Sequence, residues 1–273
     1  MFYFWGLLAL SIVVLVHEWG HFVVARYFKI KVEEFGLGYP PKIFSWKKNG
    51  VTYSLNAIPF GGFNKICEDK KETNSFVNKS RKVRALVLVA GSFSNIILAV
   101  LIFSFLFATA MPTFLLAPSL QRTVFGHVPS EPYIKVPVYQ APLAAAEFTA
   151  RLTSALLIGT GQALKNLILQ GNYKELVGPV GLIAITSSGF HKGFSVGLFM
   201  VGLISLALAI FNLLPIPVAD GGKLLILLIE KIRKKEIPAK TQLLIDNICL
   251  ALLILLAILV TAKDIKFFFF LHK

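Results

Sequence analysis

Charged residues are scarce in this chain, and that scarcity constrains its class more than any other feature. Of its 273 residues, 15% are charged and 56% are hydrophobic, whereas about a quarter of the residues of a soluble domain are charged. The apolar residues also lie in long blocks that approach the roughly 20 residues needed to cross the core of a bilayer. The composition therefore excludes an ordinary soluble protein and predicts a membrane protein with several spans.

Cysteine is almost absent as well. The chain has two cysteines, Cys67 and Cys249, which are far apart and form no Cys-x-x-Cys pair. This excludes a disulfide framework. The N-terminal segment has no basic residue before its first apolar block and no Ala-x-Ala-like site after it, so we expect no cleaved signal peptide.

Acidic residues are half as numerous as basic ones. The chain has 14 Asp and Glu against 28 Lys and Arg, which gives a net charge of +14. Such an excess also occurs in nucleic-acid-binding proteins, but here the basic residues lie in loops between apolar blocks. They also lack the regular aromatic interleaving of single-strand binders. We therefore expect the lipid bilayer, and no nucleic acid, as a partner.

The apolar blocks predict the membrane topology. Four of them are long enough to span a bilayer: residues 2–24, 84–110, 193–214 and 243–261.

Three segments between these blocks have other patterns. Residues 32–66 contain short alternating stretches and turn glycines, which predict a small β-hairpin region. Residues 111–142 are rich in proline and are expected to form an extended connection. Residues 143–169 have a polar and an apolar face, typical of a helix in the membrane interface. The predicted fold is an all-α polytopic membrane protein, one embedded domain over residues 1–273 with about four transmembrane helices.

Basic residues are concentrated on one side of the predicted spans. Residues 26–84 carry thirteen Lys or Arg, whereas residues 111–192 carry six. The loop after the third span is basic again, with Lys231, Arg233, Lys234 and Lys235. Because basic loops stay in the cytoplasm, we expect the β-hairpin region there and both chain ends on the other side.

The first span contains a metalloprotease pattern, His17-Glu18-Trp19-Gly20-His21. On a helix, residues four apart share a face, so both imidazoles can reach one Zn²⁺ with Glu18 beside it. The alternative is a polar face packed inside the helix bundle. Two His and one Glu in an apolar stretch are costly without a metal or another partner, which favours the zinc site.

A catalytic zinc needs a third protein ligand and an open position. The candidate is Asp220, which follows the third span in a stretch interrupted by two prolines and two glycines. Such a stretch is often only a helix end. With one span between them, however, the first and third spans run parallel, so His17 and Asp220 reach the same side. A fourth crossing by residues 143–169 would carry Asp220 to the opposite side, which favours the interfacial position for that helix.

These motifs resemble the site-2 protease family of intramembrane zinc metalloproteases, peptidase family M50, and most closely its bacterial regulator-of-sigma-E protease group. The matching segments run through most of the chain: His17–His21, Ile58–Phe63, Ala90–Asn95, Gly178–Gly181 and Asn212–Gly222. The resemblance implies one Zn²⁺ per chain, in a multi-pass protein of the bacterial inner membrane with its active site towards the cytoplasm.

The resemblance also implies a role for particular residues. His17, His21 and Asp220 would be the zinc ligands and Glu18 the general base. The segment Gly61, Gly62 and Phe63 resembles a membrane-associated β-loop that presents an extended substrate, although a glycine pair is equally typical of an ordinary hairpin turn. Asn212 and Asn95 would contact the substrate; for Asn212, capping of the broken helix is the alternative.

Three features depart from the family pattern. Ser92 stands where a proline is common, which weakens the case for Asn95, and Lys223 stands where a histidine often follows Asp-Gly-Gly. Larger relatives carry PDZ domains between the second and third spans, but residues 111–142 are too few for a domain of typical size. We therefore expect no PDZ domain in this chain.

The predicted function is cleavage of transmembrane segments, that is, regulated intramembrane proteolysis. The expected substrates are single-pass membrane proteins, such as anti-sigma factors or signal-peptide remnants. The alternative is a membrane protein that binds metal without proteolysis, either a zinc transporter or a pseudoprotease. A transporter would place ionisable residues along its other spans, and 85–110 and 193–214 contain none.

Overall fold

The structure is a computed structural model that describes residues 3–114, 116–173 and 176–270. The described residues form eight helices and four strands in the following order: α1 Phe4–Tyr27, β1 Val32–Lys48, β2 Val51–Ile66, α2 Arg81–Thr109, β3 Met111–Pro112, α3 Pro118–Phe125, β4 Tyr133–Ile134, α4 Ala141–Gln170, α5 Pro179–Lys192, α6 Phe194–Leu213, α7 Asp220–Arg233 and α8 Ala239–Phe270.

Four segments are long and apolar enough to cross a membrane. Within the described parts of the chain they are Phe4–Tyr27, Arg81–Thr109, Phe194–Leu213 and Lys240–Lys266. Each corresponds to one of the four predicted spans, with ends that differ by a few residues. The prediction of a mostly helical, polytopic membrane protein is therefore confirmed.

The chain divides into two compact units. One contains Met1–Ala9, Ile96–Ala207 and Ile254–Lys273, and the other contains Leu10–Asn95 and Leu208–Leu253. We call the second the motif unit, because it contains both predicted metal-binding motifs.

In the motif unit, β1 and β2 form an antiparallel sheet at the predicted position 32–66. The turn between them uses Asn49 and Gly50, both with positive φ (49° and 79°), as a tight two-residue hairpin requires. The first half of β1 pairs with both halves of β2, since Phe35 lies opposite Tyr53 and also opposite Asn64. The last residues of β2, Gly62–Ile66, therefore form an edge strand of this sheet.

One face of this sheet packs on the end of α1 and the start of α2. The shared hydrophobic core contains Phe22, Ile30, Val32, Val51 and Phe76, all buried. The rings of Phe22 and Phe35 lie 5.1 Å apart. This core holds the edge strand at a fixed position beside the His17–His21 turn of α1.

The other unit differs from the sequence prediction in two segments, residues 111–142 and helix α5. Residues 111–142 were expected to be extended, but α3 forms there, with Pro118 in its first turn and the left-handed Gly126 (φ 80°) at its end. The buried amide of Gln121 donates hydrogen bonds of 2.9 Å to the carbonyls of Thr113 and Leu116. These bonds satisfy backbone carbonyls that an extended chain would leave to water. The proline content of the segment does not predict them.

Helices α4 and α5 complete that unit. Helix α4 (Ala141–Gln170) agrees with the helix predicted at 143–169 and is not among the four span candidates found in the described residues. Its Phe148 packs against Phe103 and Phe199, with ring centroids 4.9 and 6.4 Å away. Helix α5 was not predicted, although Pro179 in its first turn is a typical helix-start signal.

Candidate metal centre

Helix α1 places the two histidines of the His17–His21 motif on one face. Their Nε2 atoms lie 3.1 Å apart, and both side chains are buried, with 5% and 7% of their surface exposed. The one-turn spacing predicted from the sequence therefore produces a convergent pair.

Asp220 joins this pair because the chain turns sharply after α6. Helix α6 ends at Leu213 and α7 begins at Asp220 itself. A Cβ at Gly221 would lie 2.3 Å from the carbonyl oxygens of Leu213 and Leu214, and one at Gly222 would lie 2.1 Å from that of Ile216. Only glycine allows so close a return of the backbone, so the Gly-Gly pair sets the position of Asp220.

The three side chains form a compact triangle of possible ligand atoms. Asp220 Oδ2 lies 3.2 Å from His17 Nε2 and 3.0 Å from His21 Nε2. Ligand atoms bound tetrahedrally to zinc at about 2.0–2.1 Å are roughly 3.3 Å apart. Two imidazoles and one carboxylate at these separations fit a catalytic zinc, which takes three protein ligands and keeps one position open.

One contact favours the state of His21 that a metal requires. His21 Nδ1 lies 2.7 Å from the carbonyl oxygen of Val87, and a proton donated there leaves Nε2 free to bind metal.

The contact with Val87 was not predicted. It uses a main-chain carbonyl, which every residue has, so no residue type marks it in the sequence. It comes from the close packing of α1 on α2: a Cβ at Gly20 would lie 2.4 Å from the carbonyl oxygen of Ala90 and 2.3 Å from Ser94 Oγ. Helix α2 thus supplies an outer contact to the predicted ligand His21.

The triangle opens into a cavity of about 430 Å³. Glu18, the predicted general base, lines it beside the three possible ligands, and so do Lys223 and Asn212. The lining also contains consecutive residues of the β2 edge strand: Phe63, Asn64, Lys65 and Ile66. The cavity is therefore bounded by a half-buried carboxylate, a possible metal site and a strand edge.

The remaining predicted site residues have other surroundings. Asn95 is fully buried in α2 and is not among the described residues that line the cavity. Gly61 and Gly62 are also outside that lining set: a Cβ at Gly61 (φ 71°) would lie 2.9 Å from Val14 Cγ1, and one at Gly62 would lie 2.8 Å from the Gly36 carbonyl oxygen. Gly61 lets the strand pass close to α1 and Gly62 lets it pass close to β1, whereas Phe63 reaches the cavity.

Asn212 does line the cavity, and its side chain also bonds within its own helix. Its amide donates a 3.1 Å hydrogen bond to the carbonyl of Leu208, one turn earlier in α6. This bond orients the side chain at the last turn before the chain breaks.

Comparisons with known proteins agree with this geometry. Residues 5–256 match the sequence model of peptidase family M50. A Clostridium perfringens protein provisionally named a zinc metalloprotease is 31% identical over 339 residues, covering 98% of this chain and 99% of the relative. Proteins with the same provisional name from Clostridium acetobutylicum (26% identical; 96% of each chain) and Rickettsia conorii (24%; 95% of this chain and 97% of the relative) are also similar.

These alignments are longer than the 273 residues of this chain, so the relatives have residues with no counterpart here. The match itself extends from the first span into the last. The chain belongs to peptidase family M50 and is a membrane-embedded metalloendopeptidase that uses zinc.

Proposed function

We propose that this peptidase cleaves the transmembrane segments of single-pass membrane proteins, as in regulated intramembrane proteolysis. The observation that carries the proposal is that Glu18, the His17–His21–Asp220 triangle and the β2 edge strand line one cavity. Glu18 and the two histidines belong to a helix long and apolar enough to cross a membrane, which favours a substrate segment within the membrane.

The three triangle residues are assigned as the zinc ligands and Glu18 as the general base. Zinc, when bound, supplies Lewis acidity that brings the pKa of water towards neutrality and polarises the scissile carbonyl. Glu18 would accept a proton from the water that attacks the carbonyl carbon. It would then give this proton to the amine nitrogen as the C–N bond breaks.

The β2 edge strand is assigned to hold the substrate. A transmembrane helix hides its peptide bonds in i to i+4 hydrogen bonds, so it must unwind before attack, and free backbone groups are costly in an apolar medium. Pairing with an exposed strand edge satisfies those groups again. Phe63 lies on this strand, and Asn212, which lines the same cavity, is assigned to bond a substrate carbonyl or amide.

The proposed location rests on the family resemblance, and the proposed orientation rests on the charge distribution. We place the chain in the bacterial inner membrane with the β1–β2 sheet and the metal site towards the cytoplasm and both ends outside it. In this orientation the basic residues that precede α2 and follow α7 lie in the cytoplasm. Anti-sigma factors and signal-peptide remnants are single-pass substrates that a site at this depth would reach.

The test is cleavage of a single-span peptide in liposomes by the wild type and by Glu18→Gln. Because Gln cannot accept the proton, we expect the cleavage rate to fall by at least about 100-fold while one zinc per chain is retained. Glu147→Gln is the control, since Glu147 is exposed on α4 and pairs with Arg151. Undiminished cleavage by Glu18→Gln would remove the general-base assignment, and zinc transport without any cleavage would favour the transporter alternative.

A further inference from the structure

We propose that Gly91 of α2 is a positioning residue of the metal centre, because the absence of a side chain at this position lets the two histidine rings reach their metal-binding arrangement. This inference rests on the proposed function in that it takes His17 and His21 as zinc ligands. It adds a residue from a different helix that has no functional group of its own.

The evidence is the space above the Gly91 Cα. A Cβ placed there would lie 2.3 Å from His21 Nε2, and 2.7 Å from both His21 Cε1 and His17 Cε1. Contacts below 3.0 Å essentially do not occur for a real Cβ, so even alanine would require a movement. The atom that would be struck first, His21 Nε2, is the atom that faces Asp220 at 3.0 Å.

The two rings have little freedom to move away. His21 is held at its other nitrogen by the 2.7 Å contact with the Val87 carbonyl. The rings are perpendicular and only 4.7 Å apart between centroids, so displacement of one ring presses on the other.

The backbones of α1 and α2 are packed closely beside the rings. Gly20 of α1 lies against Ala90 and Ser94 of α2, where an added Cβ would come within 2.4 Å of each. Small residues on both helices thus bring the backbones together. A retreat of α2 would open this contact, so a methyl group at 91 is expected to displace the ligand atoms.

A helical glycine without such a neighbour provides a matched control. Gly161 of α4 is exposed, and a Cβ added there meets nothing within 4 Å. Alanine is a better helix former than glycine, so Gly161→Ala should be harmless. Gly91→Ala gains the same helix preference, so a loss of zinc affinity in this variant would not come from a weaker helix.

The experiment measures zinc affinity in purified full-length protein by competition with a chelating dye, together with the visible spectrum of the Co²⁺-substituted protein. Substitution of a residue that contacts a metal ligand typically lowers metal affinity by roughly 10- to 100-fold. We expect a loss of this size and an altered cobalt spectrum for Gly91→Ala, with wild-type values for Gly161→Ala. Wild-type affinity and an unchanged spectrum in Gly91→Ala would overturn the inference.

A second measurement covers the case in which Gly91→Ala folds poorly. In a His17→Ala/His21→Ala background the rings that meet the new methyl group are gone. We expect Gly91→Ala not to lower the melting temperature of that background, whereas an equal loss with and without the rings would assign Gly91 to helix packing alone and overturn the inference. These readouts do not depend on proteolysis, so inactivity of the wild type towards peptides would contradict the proposed function and leave the zinc comparison valid.

Discussion

Asp220 differs from the two histidines in how it reaches the metal site. The histidines are placed by the pitch of one helix, whereas Asp220 is placed by a chain reversal that only Gly221 and Gly222 permit. Its carboxylate lies within 3.2 Å of both imidazole nitrogens. The negative charge of Asp220 can therefore be removed by one substitution that keeps the shape of the side chain.

Asp220→Asn tests this dependence on charge. The amide keeps the shape of the side chain but loses the anion, and neutral amides are poor zinc ligands, so zinc affinity should fall by more than about 100-fold, beyond the usual effect of an outer contact. Competition with a chelating dye measures it. Asp69→Asn, in an exposed loop, is the control, and equal zinc affinity in both variants would contradict the assignment of Asp220 as a ligand.

The sequence singled out His17, Glu18, His21 and Asp220 because their residue types are informative. His, Glu and Asp are unusual in apolar segments, and residues four apart on a helix lie on the same face. Val87 and Gly91 were not singled out for the opposite reason. One acts through a backbone carbonyl and the other through a missing side chain, and neither property has a residue type that distinguishes it from ordinary helix packing.

At the scale of elements, the β2 edge strand is the feature with the clearest chemical consequence. Its residues Phe63–Ile66 face the cavity, while its inner edge already pairs with β1. Its outer edge is the one left for another strand. The prediction of a β-hairpin region at 32–66 agreed with the strand bounds because alternation and the Asn49-Gly50 turn are local signals.

Backbone pairing with this edge can be tested in the substrate. N-methylation of peptide nitrogens next to the scissile bond removes the N–H groups that would pair with the strand, so we expect kcat/KM to fall by roughly 10-fold or more, at about 1 kcal/mol for each lost hydrogen bond. Methylation far from the scissile bond is the control. Equal loss at both positions would show that the edge does not hold the substrate.

The start of α5 shows why some elements cannot be placed from sequence. The buried Asp264 carboxylate of α8 accepts hydrogen bonds from the backbone N–H groups of Gly178 (2.9 Å) and Gly181 (3.0 Å). A Cβ at either glycine would come within 2.9 Å of that carboxylate. The cap is therefore supplied by a residue more than eighty positions away, and no local pattern predicts it.

Asp264→Ala should destabilise this unit and leave the metal site intact. Two N–H groups at a helix start would lose a charged acceptor, at a cost of about 1.5–3 kcal/mol for each bond. We expect a lower melting temperature in detergent and unchanged zinc affinity. Lys266→Ala, an exposed change on the same helix, should have little effect, and an unchanged melting temperature in Asp264→Ala would show that the cap is dispensable.

On the scale of the whole molecule, the four spans were predictable from composition, and their ends were not. Long apolar runs are the strongest signal that a sequence gives, whereas helix ends depend on caps and packing. The short helix α3 was missed because the hydrogen bonds from Gln121 to the Thr113 and Leu116 carbonyls, although local, depend on a chain geometry that the residue types do not show.

The orientation of the spans can be tested by cysteine labelling. In a background without Cys67 and Cys249, we expect Lys48→Cys in the hairpin turn and Lys235→Cys after α7 to react with a membrane-impermeant maleimide only after the cells are permeabilised. Lys135→Cys, beyond α2, should react in intact cells. The reverse pattern would place the metal site on the outer side and contradict the charge-based orientation.

We propose that zinc held by His17, His21 and Asp220 is required for cleavage of a transmembrane segment. The most direct test of this proposal is cleavage of a single-span substrate in liposomes by protein stripped of metal and then reloaded with one equivalent of zinc. We predict that cleavage stops when the metal is removed, returns with one zinc per chain, and does not return in Asp220→Asn at the same zinc concentration. Cleavage at the full rate without bound metal would contradict the account.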